Sequence, residues 1–389
     1  MKYQLAVAVV FSALLSACTS DNTATSIPGG AAVVTIAPDY SSGSHAVIAE
    51  SNGEFNSANN LLPTASDITL ASNGNFFYRI ERAFAGNNIT KFSFAEPQTV
   101  IWQYSVKDDP QEAVPSNPTD MVFVNEQKAY VIRYGKDKVW IVNPSAASEA
   151  EFKIGEIDLS SYNDAGGVPE MHSAIVINGK LFIAMQRLIS TFPLVSDIAY
   201  VAVFDVVTDI EIDTNYPGDS VKGIPLEIQN PENDMFYVES ENAIYIQAVG
   251  TYSPTEYIGG IEKINVDNYD TNLVLDDGTE SDHPNGKIIS VAVVSATEAY
   301  FIGCADCDDF VTGFNDYSLY KLNPATGATE PVQIAALQHT ELSDLSLSPT
   351  GDLWISAGSA TLYIMDVTQE SLIATIDTQL NPVQVVFEK

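Results

Sequence analysis

Four arginines are the side chains whose type and spacing most directly indicate chemistry. Arg79, Arg82, Arg133 and Arg187 are the only arginines in the chain, and each lies in or just after an apolar segment of a repeated pattern. A guanidinium group is a planar fork of donors that matches a carboxylate or a phosphate. Arg82, Arg133 and Arg187 would converge on a small anionic ligand if their repeats are neighbours, whereas strand alternation directs Arg79 elsewhere. The alternative is that each arginine pairs with a carboxylate of its own repeat.

Other candidate binding residues fall in the same loops. Glu170 and His172, in "VPEMHSA", precede a predicted strand and would lie near the arginines, although a polar residue there more often fixes two neighbouring repeats. Tyr252, Tyr257 and Phe314 belong to long loops, where aromatic side chains supply contact area for a ligand or pack over the fold.

Cysteines and acidic residues define two further possibilities. Cys304 and Cys307, in "CADCDD", predict a disulfide in an exported protein, and a redox-active pair or a zinc site is less favoured. The acidic loop 267–286, "DNYDTNLVLDDGTESDHPNG", lacks the spacing of an EF-hand, so calcium is permitted but not specified. No other cofactor is predicted.

The elements that position these residues form a repeat. Six segments share a pattern of strand, tight turn and strand with an aromatic residue, at intervals of 52 to 63 residues. The aromatic residues are Phe77, Tyr130, Phe182, Tyr245, Tyr300 and Trp354. A period of this size with paired strands is typical of a radial β array.

A second marker follows five of these hairpins. A third strand ends in Asn or Asp, whose side-chain oxygen favours a turn that returns the chain as a fourth strand. These residues are Asn143, Asp205, Asn265, Asn323 and Asp366. Four antiparallel strands per repeat correspond to one blade of a β-propeller.

The two ends of the body complete the ring. The C-terminal "NPVQVVFEK" begins like a repeat and stops, and "AAVVTIAPDY" and "SHAVIAES" near the N-terminus are strands without a first partner. Pairing these ends removes exposed sheet edges. We therefore predict a single all-β domain over residues 31–389, a seven-bladed propeller, with six or eight blades as alternatives.

The N-terminus has the features of an export signal. Lys2 precedes an apolar run that is too short to span a bilayer. Residues 15–18, "LSAC", resemble the lipobox of bacterial lipoproteins, which implies removal of residues 1–17 and lipidation of Cys18. Thr19 stands where an inner-membrane retention signal would have Asp, so we expect a lipid anchor in the outer membrane. Residues 18–30 are rich in Ser, Thr and Gly and predict a flexible tether.

The charge of the chain excludes some partners. Asp and Glu number 51 against 17 Lys and Arg, a formal net charge of -34. Such a field repels nucleic acids and anionic lipid headgroups. Solubility in a saline environment explains it better than an acidic binding function.

Residues 117–146, "NPTDMVFVNEQKAYVIRYGKDKVWIVNPSA", resemble the YVTN/YncE-like β-propeller repeat. The likeness recurs more weakly along the body, and Ile132 and Arg133 stand where Thr and Asn are usual. With the lipobox, the resemblance implies a surface or periplasm-facing lipoprotein. Some proteins of that class capture nutrients such as corrinoids for an outer-membrane transporter.

Three functions are compatible with these observations. The first is capture of a small polar or anionic ligand by the loop face and its delivery to an outer-membrane partner. The second is a protein-interaction scaffold in envelope assembly, which requires an exposed apolar patch. The third is a lactonase-like or quinoprotein-like enzyme, for which the sequence gives no positive evidence because nucleophile-elbow, P-loop and dinucleotide motifs are missing. Capture is the function that the sequence favours.

Overall fold

The fold is a seven-bladed β-propeller. The computed structural model describes residues 30–51, 53–163, 166–191, 194–196, 198–217, 220–251, 256–305, 307 and 316–389. Seven four-stranded antiparallel sheets form the blades, and one additional two-stranded hairpin extends from blade 3. The predicted fold class and blade number are confirmed.

The first three strands of the chain belong to the blade that closes the ring, and the next three blades follow in order. Blade 7 begins with β1 (Ala31–Ile36), β2 (Gly43–Ser51) and β3 (Glu54–Thr64). Blade 1 comprises β4 (Ile68–Asn73), β5 (Phe76–Glu81), β6 (Asn88–Ser93) and β7 (Trp102–Ser105). Blade 2 comprises β8 (Pro118–Asn125), β9 (Lys128–Arg133), β10 (Lys138–Val142) and β11 (Lys153–Asp158). Blade 3 comprises β12 (Met171–Ile177), β13 (Lys180–Met185), β16 (Tyr200–Asp205) and β17 (Ile224–Pro225), with the hairpin β14 (Leu188–Thr191) and β15 (Leu194–Ser196).

The remaining blades complete the circle. Blade 4 comprises β18 (Phe236–Val238), β19 (Ala243–Ala248), β20 (Gly260–Asn265) and β21 (Thr271–Asp276). Blade 5 comprises β22 (Lys287–Ser295), β23 (Glu298–Cys304), β24 (Tyr317–Asn323) and β25 (Ala328–Pro331). Blade 6 comprises β26 (Leu342–Leu347), β27 (Leu353–Ala357), β28 (Thr361–Asp366) and β29 (Ser371–Asp377), and β30 (Asn381–Phe387) is the inner strand of blade 7.

Helices are short in the described part of the chain. They are 3-10 turns at Ala83–Ala85, Glu149–Glu151, Ser160–Tyr162, Glu239–Glu241 and Ala335–Leu337. Within the same residues, none of them has the length and apolar character needed to cross a membrane.

Both sequence markers of the repeat have the predicted structural roles. The six aromatic residues all lie in the second strand of a blade, and all are buried. The five Asn and Asp residues accept hydrogen bonds at the turn after the third strand, as Asn143 Oδ1 does from the Ser145 amide at 2.9 Å. The aromatic residues fill the space between neighbouring blades, and the turns return each chain segment as the outer strand.

The ring is closed by the two ends of the described chain. β1 pairs antiparallel with β30, so blade 7 combines one C-terminal strand with three N-terminal strands. Gln384 on β30 then joins blade 7 to blade 1, because its Oε1 accepts from the Leu70 amide at 2.7 Å and its Nε2 donates to the Leu70 carbonyl at 3.3 Å. The predicted closure by terminal strands is confirmed.

A polar contact near the inner strands joins every pair of adjacent blades. In ring order from the interface of blades 1 and 2, the donors and acceptors are Thr69 to Thr119 O, Thr119 to Met171 O, Gln186 to Pro231 O, Asn233 to Ile289 O, Ser290 to Asp344, Ser343 to Pro382 O, and Gln384 to Leu70 O. Each such bond contributes about 1 kcal/mol. Together they hold the inner strands around a polar central channel.

The predicted signal segment, the lipidation site Cys18 and the tether up to residue 29 lie outside the described residues. They remain predictions from the sequence.

Candidate functional site: the mouth of the central channel

Equivalent positions of the inner strands supply the side chains of the channel. In blades 1 to 6, one residue of the inner strand pairs with the buried aromatic residue of the second strand. The channel position lies two residues before that inner-strand residue, as Asp120 lies before Val122. The residues are Leu70, Asp120, Ser173, Asp234, Ser290 and Asp344, and all line the channel cavities. Aspartate therefore occupies every second blade, which spaces the three carboxylates around the ring.

Irregularities of the inner strands aim these side chains. The pairing register shifts immediately before Asp120, Ser173, Ser290 and Asp344, so that one extra residue of the inner strand is unpaired. A bulge of this kind bends the strand and redirects a side chain. The inner strands thereby turn polar side chains into the channel.

The channel contains two adjoining cavities. The first, of about 280 Å³, lies at the beginning of the inner strands and is lined by Thr69, Arg82, Thr119, Asp120, His172, Ser173, Glu232, Asn233, Asp234, Ser290, Asp344 and Gln384, among others. The second, of about 290 Å³, continues toward the other end of the inner strands and shares Asp120 and Asp234 with the first. The first cavity opens on the same face as the loop that carries Arg82, and we call it the channel mouth.

Two of the three aspartates are used to join blades. Asp120 accepts hydrogen bonds from its neighbour's amide, Met121 N, at 2.6 Å and from Ala174 N of blade 3 at 3.0 Å. Asp344 accepts from the Ser290 hydroxyl of blade 5 at 3.2 Å and from Ser346 at 3.3 Å. These contacts give Asp120 and Asp344 a structural role, so their presence in the channel needs no ligand to account for it.

Three other groups of the channel mouth are not used in this way. Asp234 is accessible from the channel, and no hydrogen bond from a described residue reaches its carboxylate. Ser173 is 2% exposed, and its buried hydroxyl has no hydrogen-bond partner among the described residues. His172 Nδ1 is also buried and unpartnered. Buried polar atoms are nearly always paired, so these atoms mark the place where a ligand or water belongs.

Burial and mutual repulsion change the ionisation of the channel. Burial and the charge of Asp234 raise the pKa of Asp120 to about 7, and the same two causes raise the pKa of Asp344 to about 7. Loss of bulk solvent inside the narrow channel also raises the pKa of Asp234, and the charge of Lys389 opposes this rise. His172 is neutral, because burial and the nearby Arg82 lower its pKa to about 3. The channel mouth is therefore an acceptor-rich site whose negative charge grows as the pH rises through neutrality.

The structure does not bring the three candidate arginines together. Arg82 lines the channel mouth, with its Nε 3.6 Å from Asp67 Oδ1 and about a quarter of its side chain exposed. Arg133 is fully buried inside blade 2, where it forms a 2.6 Å ion pair with Asp108 and its guanidinium carbon lies 4.6 Å from the ring centre of Trp140. A side chain with no exposed surface and a satisfied charge cannot contact a ligand.

Arg187 and Arg79 are also used by the fold. Arg187 donates to the carbonyl oxygens of Tyr162 at 3.0 Å and Ile198 at 2.9 Å. Arg79 is buried and forms a 2.8 Å ion pair with Glu81. Arg79, Arg133 and Arg187 therefore have partners within the fold. Of the four arginines, Arg82 remains the candidate for contact with a ligand.

The other predicted site residues are scattered. Glu170 is buried and accepts from the Leu188 amide at 3.1 Å, so it closes a loop of blade 3, while its neighbour His172 lines the channel mouth. Tyr257 stacks on His283 with ring centres 4.4 Å apart and a 19° interplanar angle. Tyr252 and Phe314 lie outside the described residues.

The structure also places the two candidate cysteines and the acidic segment 267–286. Cys304 and Cys307 form a disulfide at the end of β23, with their Cα atoms 5.5 Å apart. Among the residues that the structure describes, no three His, Cys, Asp or Glu side chains are grouped so that they could hold a metal ion. The predicted acidic loop 267–286 contains strand β21, and calcium binding there stays a prediction from the sequence.

The sequence interpretation missed the channel aspartates, although the signal was present. Asp120, Asp234 and Asp344 stand in "TDMVF", "NDMFY" and "SDLSL", 10, 11 and 10 residues before the aromatic marker of their repeats. Aligning the repeats on that marker, with one extra residue allowed in the fourth blade, places the three carboxylates at one level of the ring. The sequence does not show which of them the fold consumes.

Comparisons with known proteins support the fold. No protein-family model matches the sequence, and no curated protein sequence matches it. The chain is similar in structure to apo AztD from Citrobacter koseri, with a TM-score of 0.50 and 11% identity over 92% of this chain and 98% of that one. It is also similar to the computationally designed Ika8 protein (TM-score 0.46, 9% identity, 81% and 88% covered) and to BamB from Moraxella catarrhalis (TM-score 0.42, 10% identity, 89% and 82% covered). At 11% identity, the likeness to AztD concerns the fold alone, and function has to be argued from the site.

Proposed function

We propose that this protein is a ligand-binding propeller of the bacterial envelope, whose channel mouth takes a small polar molecule carrying a positively charged amine. The observation that carries the proposal is the set of unused polar groups around Asp234. Its carboxylate, the Ser173 hydroxyl and the His172 ring line one cavity, and neither of the buried Ser173 and His172 atoms has a partner in the described chain.

The charge of the site decides the class of ligand. Asp120, Asp234, Asp344 and Glu232 line the channel mouth against Arg82. A second cation, Lys389 in the adjoining cavity, also acts on Asp120 and Asp234, so four carboxylates face two basic groups. An amine would relieve the repulsion that raises the pKa of Asp120 and Asp344, whereas an anion would add to it. The proposal thus keeps the expected ligand small and polar and changes its expected charge from negative to positive.

Arg82 and His172 favour a ligand with a second polar group. The neutral imidazole can accept a hydrogen bond, and the partly exposed guanidinium can donate one. A molecule with an amine at one end and a hydroxyl or carbonyl at the other would contact both sectors of the mouth. Binding of this kind needs no catalytic group.

A thermal-shift panel tests the class of ligand. Putrescine, glucose and succinate represent a cation, a neutral polyol and an anion, and the variants are Asp234→Asn and the exposed control Glu239→Gln. We expect a saturable rise in Tm with putrescine that Glu239→Gln keeps and Asp234→Asn loses. A shift with succinate alone, or an undiminished putrescine shift in Asp234→Asn, would refute the proposal.

We also propose that the propeller is held at the outer membrane by a lipid on Cys18 and passes its ligand to an outer-membrane transporter or another envelope protein. This part rests on the sequence, namely the apolar segment, the "LSAC" motif and Thr19. The likeness of residues 117–146 to YVTN/YncE-like repeats adds the precedent of ligand-capturing lipoproteins.

Metabolic labelling with a palmitate analogue tests the anchor. The native protein should incorporate the label and sediment with outer membranes, and Cys18→Ser should do neither. Labelling that persists in Cys18→Ser would place the lipid elsewhere, and recovery of an unlabelled native protein in the soluble fraction would reject the anchor.

A further inference from the structure

Three blades contain the same arrangement of an aromatic ring, a lysine and a carboxylate. The ring is the second-strand aromatic, Tyr130, Tyr245 or Tyr300, and a lysine ammonium lies 5.4 to 5.8 Å from its centre. The lysines are Lys128, Lys263 and Lys321, and each forms an ion pair of 2.8 to 3.0 Å with a nearby carboxylate, Asp209, Glu241 or Glu298 respectively. A cation held between a ring face and a carboxylate is attracted by both.

Blade 6 has the ring and the carboxylates but lacks the lysine. Its second-strand aromatic is Trp354, and no described lysine or arginine lies over this indole. Instead, Trp354 lines a cavity of about 140 Å³ between blades 6 and 7. We call it the aromatic cavity, and its principal lining residues are Glu50, Phe55, Asp352, Trp354, Phe387 and Glu388.

Three rings form the apolar wall of this cavity. Phe55 on β3 lies 5.9 Å from Trp354 between ring centres at an interplanar angle of 82°, and Phe387 on β30 lies at 5.3 Å and 86°. Rings that meet at nearly right angles make a corner that can surround a rounded apolar cation. Both phenylalanines are only partly buried, so the corner is open to an external molecule.

Three carboxylates line the same cavity, and no described basic residue does. Glu50 extends from β2 and is exposed, Asp352 precedes β27 and accepts from the Thr350 hydroxyl at 2.9 Å, and Glu388 follows β30 and accepts from the Gly30 amide at 3.3 Å. Neither Glu50 nor Asp352 forms an ion pair with a described residue. These two carboxylates therefore create a negative potential beside the ring, where blades 2, 4 and 5 carry a lysine of their own.

We propose that the aromatic cavity binds a small quaternary ammonium cation such as choline. Methyl groups would contact the three rings, and the positive charge would be balanced by Glu50 and Asp352. A primary ammonium lacks the methyl surface that fits an aromatic corner, and a zwitterion with its own carboxylate would be repelled by these two acidic residues.

The test compares choline with 3,3-dimethylbutan-1-ol, which has the same shape and no charge. Binding to the purified protein is followed by calorimetry and by Trp fluorescence, since only three tryptophans are present. We expect choline to bind and the neutral alcohol to bind at least tenfold more weakly. Equal binding of the two, or no binding of choline, would overturn the proposal.

Variants locate the site. Phe55→Leu keeps the apolar bulk and removes a ring, and Glu50→Gln removes an exposed charge, so neither should unfold the protein. Each should weaken choline binding about threefold to tenfold. Phe84→Leu, at a phenylalanine that is 90% exposed on another blade, is the matched control and should leave binding unchanged.

The channel mouth provides a second control because it is a separate cavity. Asp234→Asn should leave choline binding at the aromatic cavity intact. If Asp234→Asn abolished choline binding while Phe55→Leu and Glu50→Gln had no effect, choline would bind at the channel mouth. That result would overturn this inference.

Discussion

Asp120 and Asp234 occupy the same position of their blades and face the same channel, and the charge of Asp234 adds to burial in raising the pKa of Asp120 to about 7. The two residues nevertheless differ in their use. Asp120 joins blades 2 and 3 through the Ala174 amide, whereas Asp234 receives no hydrogen bond from a described residue. Asp120 therefore has a structural role, and on our proposal Asp234 is the carboxylate that contacts the ligand.

Replacing Asp344 should stabilise the protein at alkaline pH. Burial and Asp234 raise its folded pKa to about 7, above the value of about 3.9 for an unfolded aspartate. Because the folded protein holds this proton more tightly than the unfolded chain does, Asp344 contributes to the free energy of unfolding. This contribution is fully present below about pH 4 and is lost as the pH rises through about 7. Asp344→Asn should therefore raise Tm by about 2 °C or more at pH 8, with a smaller gain at pH 5.

Thermal melts between pH 5 and pH 9 check this expectation. Asp267→Asn, at an exposed position, is the matched control and should show no such pH-dependent gain. A gain for Asp344→Asn that is larger at pH 5 than at pH 8 would contradict the raised pKa.

Replacing Arg133 should destabilise the fold without changing ligand binding. The side chain is fully buried against Trp140 and paired with Asp108, so Arg133→Leu removes a charge pair and a ring contact. We expect a loss of about 2–4 kcal/mol in the free energy of unfolding, measured by denaturant titration. Arg82→Leu, at a partly exposed guanidinium, should cost less than about 1 kcal/mol.

The binding assay distinguishes the two arginines further. Amine binding to Arg133→Leu, measured at a temperature where the variant is folded, should match the native protein. A specific loss of binding without a loss of stability would return Arg133 to the ligand site.

Replacing Gln384 should weaken the closure of the ring. Its amide makes two hydrogen bonds to the backbone of Leu70, and Gln384→Ala leaves that amide and carbonyl without their partner. The expected cost is about 1–3 kcal/mol. Gln369→Ala, at an exposed turn, is the control, and equal unfolding midpoints for the two variants would show that the contact contributes nothing.

The fold was predictable because its signals are local and repeated. An Asn that accepts from the amide two residues later, as Asn143 does, shapes its turn in any context, and a β-hairpin with one buried aromatic can be recognised in each repeat. Pairing of the chain ends followed from counting unpaired strands. None of these inferences depends on which blade contacts which.

The site was less predictable because it depends on contacts between distant residues. The sequence shows that Arg133 is a potential anion ligand but not that Asp108, 25 residues earlier, already neutralises it. It likewise shows three aspartates at one repeat position without showing that the Ala174 amide and the Ser290 hydroxyl occupy two of them. Among these three aspartates, only the fold shows that Asp234 receives no hydrogen bond from a described residue.

The central claim is that the channel mouth binds an amine through Asp234, and calorimetric titration of putrescine into the native protein and Asp234→Asn tests it most directly. Because the pKa values of Asp120 and Asp344 are about 7, the native affinity should be higher at pH 8 than at pH 6, and Asp234→Asn should lose at least tenfold in affinity at pH 8. Affinity that is independent of pH and unchanged in Asp234→Asn would contradict the account.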